Sequence, residues 1–137
     1  MIGSDEIAIK VYKLLRKARL SISGEVSYDR IDYSKEDVII IPHTIDGEDS
    51  NIRLGQINVN IHVPDIEVDD NNGNKIYVAD RKRLIDIRKE CIEALRDHYE
   101  SEEGYNWYIG RLNPPIKEPQ FNEHFVTISL ELVVREK

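Results

Sequence analysis

Two carboxylates and a lysine are the residues of this chain whose order and spacing could support hydrolytic chemistry. Asp65 follows Pro64, and Asp80 precedes Lys82 by two positions, so the pattern is Pro-Asp and then an acid, any residue and lysine. Two carboxylates on adjacent strands can hold Mg²⁺, and a lysine beside them can orient the attacking water. The elements that carry these three residues therefore decide whether such a site can form.

The same pattern resembles that of metal-dependent nucleases. In this chain, however, Asp80 is predicted to cap a helix that runs to about Glu100, which places Lys82 in a first helical turn and not on a strand. The chain has 19 basic and 26 acidic residues and a formal net charge of −7, so DNA would be repelled unless a local basic patch intervened. A Mg²⁺-dependent nuclease is retained as the alternative function, and a binding module is the third hypothesis.

Other groups that could ligate a metal or attack a substrate are scattered along the chain. The four histidines lie on four different segments, without the spacing of a helical ligand pair: His43, His62, His98 and His124. In the acidic stretch around Gly73, Val68 and Ala79 would occupy calcium-loop positions that require carboxylates. The single cysteine, Cys91, lies in the apolar stripe of a predicted helix and is expected to be a small core residue. We therefore predict a non-enzymatic protein without catalytic residues, metal or cofactor.

The central element is a strand predicted between Arg53 and Asp65. Its apolar and polar side chains alternate with a period of two, which is typical of a half-buried strand. The apolar positions are Ile57, Val59, Ile61 and Val63, and the polar positions are Gln56, Asn58, Asn60 and His62. Solvated strand faces usually carry Lys, Glu and Thr, so this amide-rich row is either an ordinary solvated face or a contact surface.

Two amphipathic helices flank the predicted strands. The first is capped by Ser4 and ends near Arg19, and the second runs from Asp80 to about Glu100 with Tyr99 on its apolar stripe. Further strands are predicted at residues 26–28, 38–41, 105–109 and 126–134, and the β-branched run at 38–41 is expected to be buried on both sides. We therefore predict a single α+β domain spanning residues 1–137, with a mainly antiparallel sheet and both helices on its apolar face.

Residues 66–78 are predicted to form either a projecting hairpin with an acidic tip or a flexible acidic loop. The centre of this segment, residues 71–74, is rich in residues that tolerate positive φ. Connections of this length are usually functional or disordered, so the segment is a candidate contact with a neighbouring subunit. The candidate subunit contacts, including the amide row, are Gln56, Asn58, Asn60, Glu67, Asp69, Asp70, Asn71, Asn72, Lys75 and Tyr77.

The sequence also bears on the compartment in which the protein works. No apolar run approaches the roughly 20 residues that a membrane helix needs, and the N-terminus lacks a basic segment followed by an apolar one. We therefore expect no membrane partner, and we expect the protein to stay in the compartment where it is made.

Four stretches carry a resemblance to a known family: Ile7-Ala-Ile-Lys-Val-Tyr-Lys-Leu-Leu14, Ser23-Gly-Glu-Val-Ser-Tyr28, Glu36-Asp-Val-Ile-Ile-Ile41 and Gly55-Gln-Ile-Asn-Val-Asn-Ile-His-Val-Pro-Asp65. With the helix from Asp80 and the closing strand, they cover most of the chain. The layout of the chain resembles that of the tail-completion, or tail-terminator, minor tail proteins of long-tailed bacteriophages.

The resemblance implies a small α+β virion protein that is assembled in the cytoplasm of the bacterial host. It would form a ring-shaped homo-oligomer at the head-proximal end of the tail tube, stop tube growth and offer a surface to the head connector. Association is expected to be weak when the tube is absent. An acidic lumen would let DNA pass without specific binding.

Overall fold

The computed structural model describes residues 2–30, 32–46, 51–96, 98–100 and 103–135. Its helices are α1 (Ser4–Lys17) and α2 (Arg81–Leu95). Its strands are β1 (Val26–Ser27), β2 (Asp37–Pro42), β3 (Ile52–Pro64), β4 (Ile66–Asp69), β5 (Lys75–Val78), β6 (His98–Glu100), β7 (Tyr105–Leu112), β8 (Ile116–Lys117) and β9 (Glu123–Arg135). The predicted α+β class, with mainly antiparallel strands, is confirmed.

The two helices begin at caps of different kinds. Gly3 is the N-cap of α1, so the prediction that Ser4 caps this helix is wrong by one residue. Glu6 reaches back one turn, and its Oε1 accepts a hydrogen bond of 3.1 Å from the Gly3 backbone N–H. The predicted cap of α2 is confirmed, because Asp80 Oδ1 accepts from the Arg83 backbone N–H at 3.3 Å.

The end of α2 differs from the sequence prediction. The helix stops at Leu95 and not near Glu100, and Tyr99 belongs to β6 and not to the helical stripe. The indole Nε1–H of Trp107 donates to the last helical carbonyls, those of Leu95 at 3.0 Å and Arg96 at 2.9 Å. Pairing of β6 with β7, which aligns His98 with Trp107, replaces further helical turns.

The main sheet has the strand order β1-β2-β3-β9-β7-β6, and β8 also pairs with β9. The central pair, β3 and β9, is antiparallel over thirteen residues, from Ile52 opposite Arg135 to Pro64 opposite Glu123. β1 is parallel to β2, and the other pairs in this sheet are antiparallel. Alternation along β3 and β9 therefore places one apolar row against another on a single face of the sheet.

Both helices pack on that apolar face. Within it, Val59 lies opposite Ile128, and Ile57 lies opposite Leu130. The side chains of the two sheet strands and of the two helices that meet in this core are fully buried: Ile57, Val59, Ile61, Ile128, Leu130, Ile7, Val11, Leu15, Leu84 and Ile87. Burial of this continuous apolar surface is the main stabilising term of the fold.

The β-branched run in β2 is buried over most of its length. Val38, Ile39 and Ile40 are buried, but Ile41 is 36% exposed, so the prediction of burial on both sides is wrong at this residue. Ile41 lies opposite Asn58, on the sheet face that the helices do not cover. The sequence also predicts a turn at Asp46-Gly47. Residues 47–50 lie outside the described part of the chain.

Residues 66–78 form a hairpin, not a loop. β4 and β5 pair with each other as a separate two-stranded antiparallel sheet. Asp70 Oδ1 accepts hydrogen bonds of 2.8 Å from the backbone N–H groups of Asn72 and Asn74, and these bonds, that of Asn74 foremost, hold the pKa of Asp70 below its ordinary value. Gly73 adopts a φ of +79°, which closes the turn in a conformation that glycine enters freely.

A search for membrane-crossing segments among the described helices finds none that is both long and apolar enough.

Candidate functional site

The hairpin formed by β4 and β5 has two chemically different faces. Cross-strand pairing places Ile66 opposite Val78 and Val68 opposite Ile76, and it places Glu67 opposite Tyr77 and Asp69 opposite Lys75. Because neighbouring pairs point to opposite faces, the first two pairs form one face and the last two form the other. We call Ile66, Val68, Ile76 and Val78 the apolar hairpin face, and Glu67, Asp69, Lys75 and Tyr77 the charged hairpin face.

Both hairpin faces are open to solvent. Ile66 and Ile76 are each 43% exposed and Tyr77 is 47% exposed. A two-stranded hairpin is marginally stable by itself in water, and this one leaves an aliphatic face uncovered. The Lys75 Nζ to Glu67 Oε1 ion pair, at 3.0 Å, joins two exposed side chains and stabilises little. The hairpin therefore leaves most of its aliphatic face uncovered by the rest of the described chain.

The sequence prediction includes the hairpin but singles out only part of its surface. Glu67, Asp69, Lys75 and Tyr77 lie on the charged hairpin face, and Asp70, Asn71 and Asn72 lie at the turn. The apolar hairpin face is not among the predicted contacts. The sequence does contain a signal for the apolar hairpin face. Apolar and polar residues alternate with the period of a strand in Ile66-Glu67-Val68-Asp69 and in Lys75-Ile76-Tyr77-Val78.

The amide row lies on a different surface, the face of the main sheet opposite the helices. Asn58 Oδ1 accepts from Gln56 Nε2 at 2.5 Å and from Ser129 Oγ at 3.3 Å. Asn60 Oδ1 accepts from Thr127 Oγ1 at 2.7 Å. These half-buried polar groups satisfy one another across β3 and β9, which explains their presence without an external ligand. The row stays a predicted contact surface of secondary interest.

The three residues of the hydrolytic pattern have separate structural partners. The carboxylate of Asp65 is buried, its Oδ1 lies 2.6 Å from His124 Nδ1, and its Oδ2 accepts from Lys117 Nζ at 3.1 Å. Lys82 Nζ lies 2.7 Å from Asp86 Oδ2.

The hairpin does bring the chain positions of Asp65 and Asp80 close together, since Ile66 pairs with Val78. Their carboxylates nevertheless serve different elements, because Asp80 caps α2. Among the described residues, no group of three or more His, Cys, Asp or Glu side chains is arranged to hold a metal ion.

A buried polar cluster joins the loop at Arg30 to the ends of the long strands. Arg30 Nε lies 3.1 Å from Asp37 Oδ2, and its Nη1 donates to Glu123 Oε1. His62 Nδ1 lies 3.1 Å from the same Glu123 oxygen, and its ring stacks on Phe125. The guanidinium and the two carboxylates are almost completely removed from water. Buried charges of this kind require mutual pairing, so the cluster fixes the loop to the sheet.

The cluster also shifts the titration of its members. Burial opposes the charged form of Arg30, but the hydrogen bonds to Glu123 and Asp37 hold the pKa of Arg30 above its ordinary value. Burial, and next the positive charge of Arg30, lower the pKa of His62 despite the nearby Glu123. Both effects favour the neutral form of His62. The sequence does not single out Arg30 or Glu123, because no local pattern links residues so far apart.

Cys91 is a core residue, as predicted. Its side chain is fully buried among the apolar residues of α2, and burial raises the pKa of the thiol to about 12. A neutral thiol without access to solvent is a poor nucleophile and a poor metal ligand.

No protein-family model matches the chain, and no curated protein is similar to it. The resemblance to phage tail-completion proteins stays a prediction from the sequence.

Proposed function

We propose that this chain is a non-enzymatic assembly subunit that caps the tail tube of a long-tailed bacteriophage and joins the tail to the head connector. The observation that carries the proposal is the hairpin of β4 and β5, which is exposed on both faces. The sequence resemblance supplies the biological setting.

The exposed hairpin favours a protein partner over a small ligand. Ligand sites in proteins are concave and enclose most of their ligand, whereas this hairpin is a protruding strand pair with aliphatic side chains on one face and charges on the other. Covering Ile66, Ile76 and Val78 in an interface would remove apolar surface from water, at about 25 cal/mol for each Å². Protein association is the process that uses such a segment.

A ring is the closed assembly that a protruding segment of this kind can generate. When a surface on one subunit contacts a different surface on the next, the contact repeats head to tail, and it closes into a ring if the rotation permits. The chain's net charge of −7 suits such a ring around DNA, because an acidic lumen would repel the phosphates and prevent adhesion. DNA would then pass through the ring without specific binding.

The test is completion of tails in a phage assembly extract that lacks its own tail-completion protein. We expect the wild-type chain to restore tails of normal length that join heads, and Ile76→Asp to fail because it charges the apolar hairpin face. Ile85→Asp is the matched control, since Ile85 is similarly exposed but lies on α2. Normal tails with Ile76→Asp would remove the hairpin from the mechanism. Failure of the wild-type chain to restore tails would remove the phage assignment.

A further inference from the structure

The exposed side of α1 is basic in its C-terminal half, although the chain as a whole is acidic. Lys13, Arg16 and Lys17 are exposed on this helix, and we call them the basic stripe. None of the three forms an ion pair with a residue in the described ranges, and Arg16 lies over the ring of Tyr12 at 5.6 Å. Ile9 lies one helical turn before Lys13 and is 48% exposed. The basic stripe thus lies on the C-terminal side of Ile9, whereas the exposed carboxylates of Asp5 and Glu6 lie on its N-terminal side.

The charged hairpin face has a small net negative charge, because Glu67 and Asp69 share the face with Lys75, which pairs with Glu67. Tyr77 supplies an exposed aromatic ring, and Glu67 and Asp69 lie beside it on β4. Asp70 adds a third carboxylate at the turn, and Lys75 is the one cation among the charged residues of 66–78. The hairpin therefore carries a net charge of −2, from three carboxylates and one ammonium group.

We propose that the charged hairpin face of one subunit docks on the basic stripe of α1 in a second copy of this chain. Tyr77 packs on Ile9 at one end of the contact, and Glu67 and Asp69 face Lys13 and Lys17 on the C-terminal side of Ile9. An aromatic anchor with charged residues at its edge is common in protein interfaces. The inference rests on the proposed function, because it names the subunit contact of the same ring.

The contact is heterologous, since the hairpin and α1 are different surfaces of the chain. It repeats from subunit to subunit and leaves the apolar hairpin face available to the tail tube. A small contact whose rim consists of exposed ion pairs is weak and sensitive to salt. Rings of this kind form fully when the tube covers the second face of the hairpin.

Charge reversal tests the contact with the full-length chain. The hairpin variant is Glu67→Lys with Asp69→Lys, and the helix variant is Lys13→Glu with Lys17→Glu. The matched control, Arg81→Glu with Lys89→Glu, reverses two exposed cations on α2. Circular dichroism checks that each variant is folded, and sedimentation velocity measures self-association at protein concentrations up to about 1 mM.

We expect the wild-type chain and the control to self-associate in about 0.05 M salt and to dissociate in about 0.5 M salt. Each reversal variant alone should associate at least about tenfold more weakly, because like charges then face each other. An equimolar mixture of the two variants should associate again, since every reversed hairpin can then meet a helix of opposite charge.

Three results would overturn the inference: a monomeric wild-type chain under all these conditions, unchanged association of both reversal variants, or a mixture that stays dissociated. None of the three decides the proposed function. The tail-completion assay tests that function separately, because it compares the wild-type chain with Ile76→Asp on the apolar hairpin face.

Discussion

Arg30 and Glu123 are 93 positions apart in the chain, yet the guanidinium of one donates to the carboxylate of the other in a site that water hardly reaches. The same arginine holds Asp37 at the start of β2. One side chain thus fastens a loop to two strands of the sheet.

Removing that arginine should be among the costlier single changes in this protein. We expect Arg30→Ala to lower the free energy of unfolding by about 3–5 kcal/mol, because Asp37 and Glu123 would stay buried without their counter-charge. Urea denaturation measures the loss. Lys75→Ala is the control, since it breaks the exposed ion pair with Glu67 and should cost under about 1 kcal/mol. Equal losses in the two variants would contradict a structural role for the buried cluster.

The core between β3 and β9 should be equally sensitive to cavities. We expect Ile61→Ala and Leu130→Ala each to cost about 2–5 kcal/mol, because both side chains are fully buried under the helices. The comparison is Leu54→Ala on the same strand as Ile61, where the residue is 62% exposed and little packing is lost. Chemical denaturation of all three variants gives the values. Losses under about 1 kcal/mol at both buried sites would show that the core lies elsewhere.

The free energy of unfolding should decrease as the pH is lowered, because His62 titrates. Its pKa in the folded chain is lowered by burial and by Arg30, so below about pH 6.5 the unfolded chain takes up a proton that the folded chain does not. The free energy of unfolding therefore decreases as the pH drops from about 7 toward about 5. His62→Gln should have a shallower decrease over this interval. Urea titrations at several pH values measure both slopes, and identical slopes would show that another group dominates.

The nuclease alternative and the assembly function predict opposite results in a DNA-cleavage assay. A nuclease built on Asp65, Asp80 and Lys82 would cleave DNA with Mg²⁺ or Mn²⁺ and would lose that activity in Asp80→Ala. We expect no cleavage by the wild-type chain or by Asp80→Ala. Asp80 caps α2, and Asp65 is held by Lys117 and His124. Asp86→Ala, which removes the partner of Lys82, serves as the control. Cleavage that Asp80→Ala alone abolishes would reverse the order of the two functions.

Elements with a strong local pattern could be predicted from the sequence, and those decided by distant contacts could not. The alternation in β3 and β9 identifies the apolar rows of those strands correctly, because one face is buried along most of their length. The predicted end of α2 is wrong, since Tyr99 continues the helical period and only the pairing of β6 with β7 removes it from the helix. Tertiary contacts override local periodicity at such boundaries.

Part of the candidate site could be predicted from the sequence, and part could not. The turn residues at 71–74 predict either a hairpin or a flexible loop, and the pairing of β4 with β5 decides for the hairpin. Exposure of Ile66 and Ile76 does not follow from the sequence, because the same alternation would suit a hairpin packed on the domain. Whether an aliphatic side chain is covered depends on where the other elements lie.

The indole of Trp107 lies beneath the end of α2 and provides intrinsic fluorescence at that site. It is the one tryptophan of the chain, it is buried, and its N–H is bonded to the carbonyls of Leu95 and Arg96. We therefore expect its fluorescence emission to be that of an apolar site and to shift to longer wavelength when the C-terminal end of α2 separates from β7. Ultraviolet excitation thus follows the detachment of this helix without any attached dye.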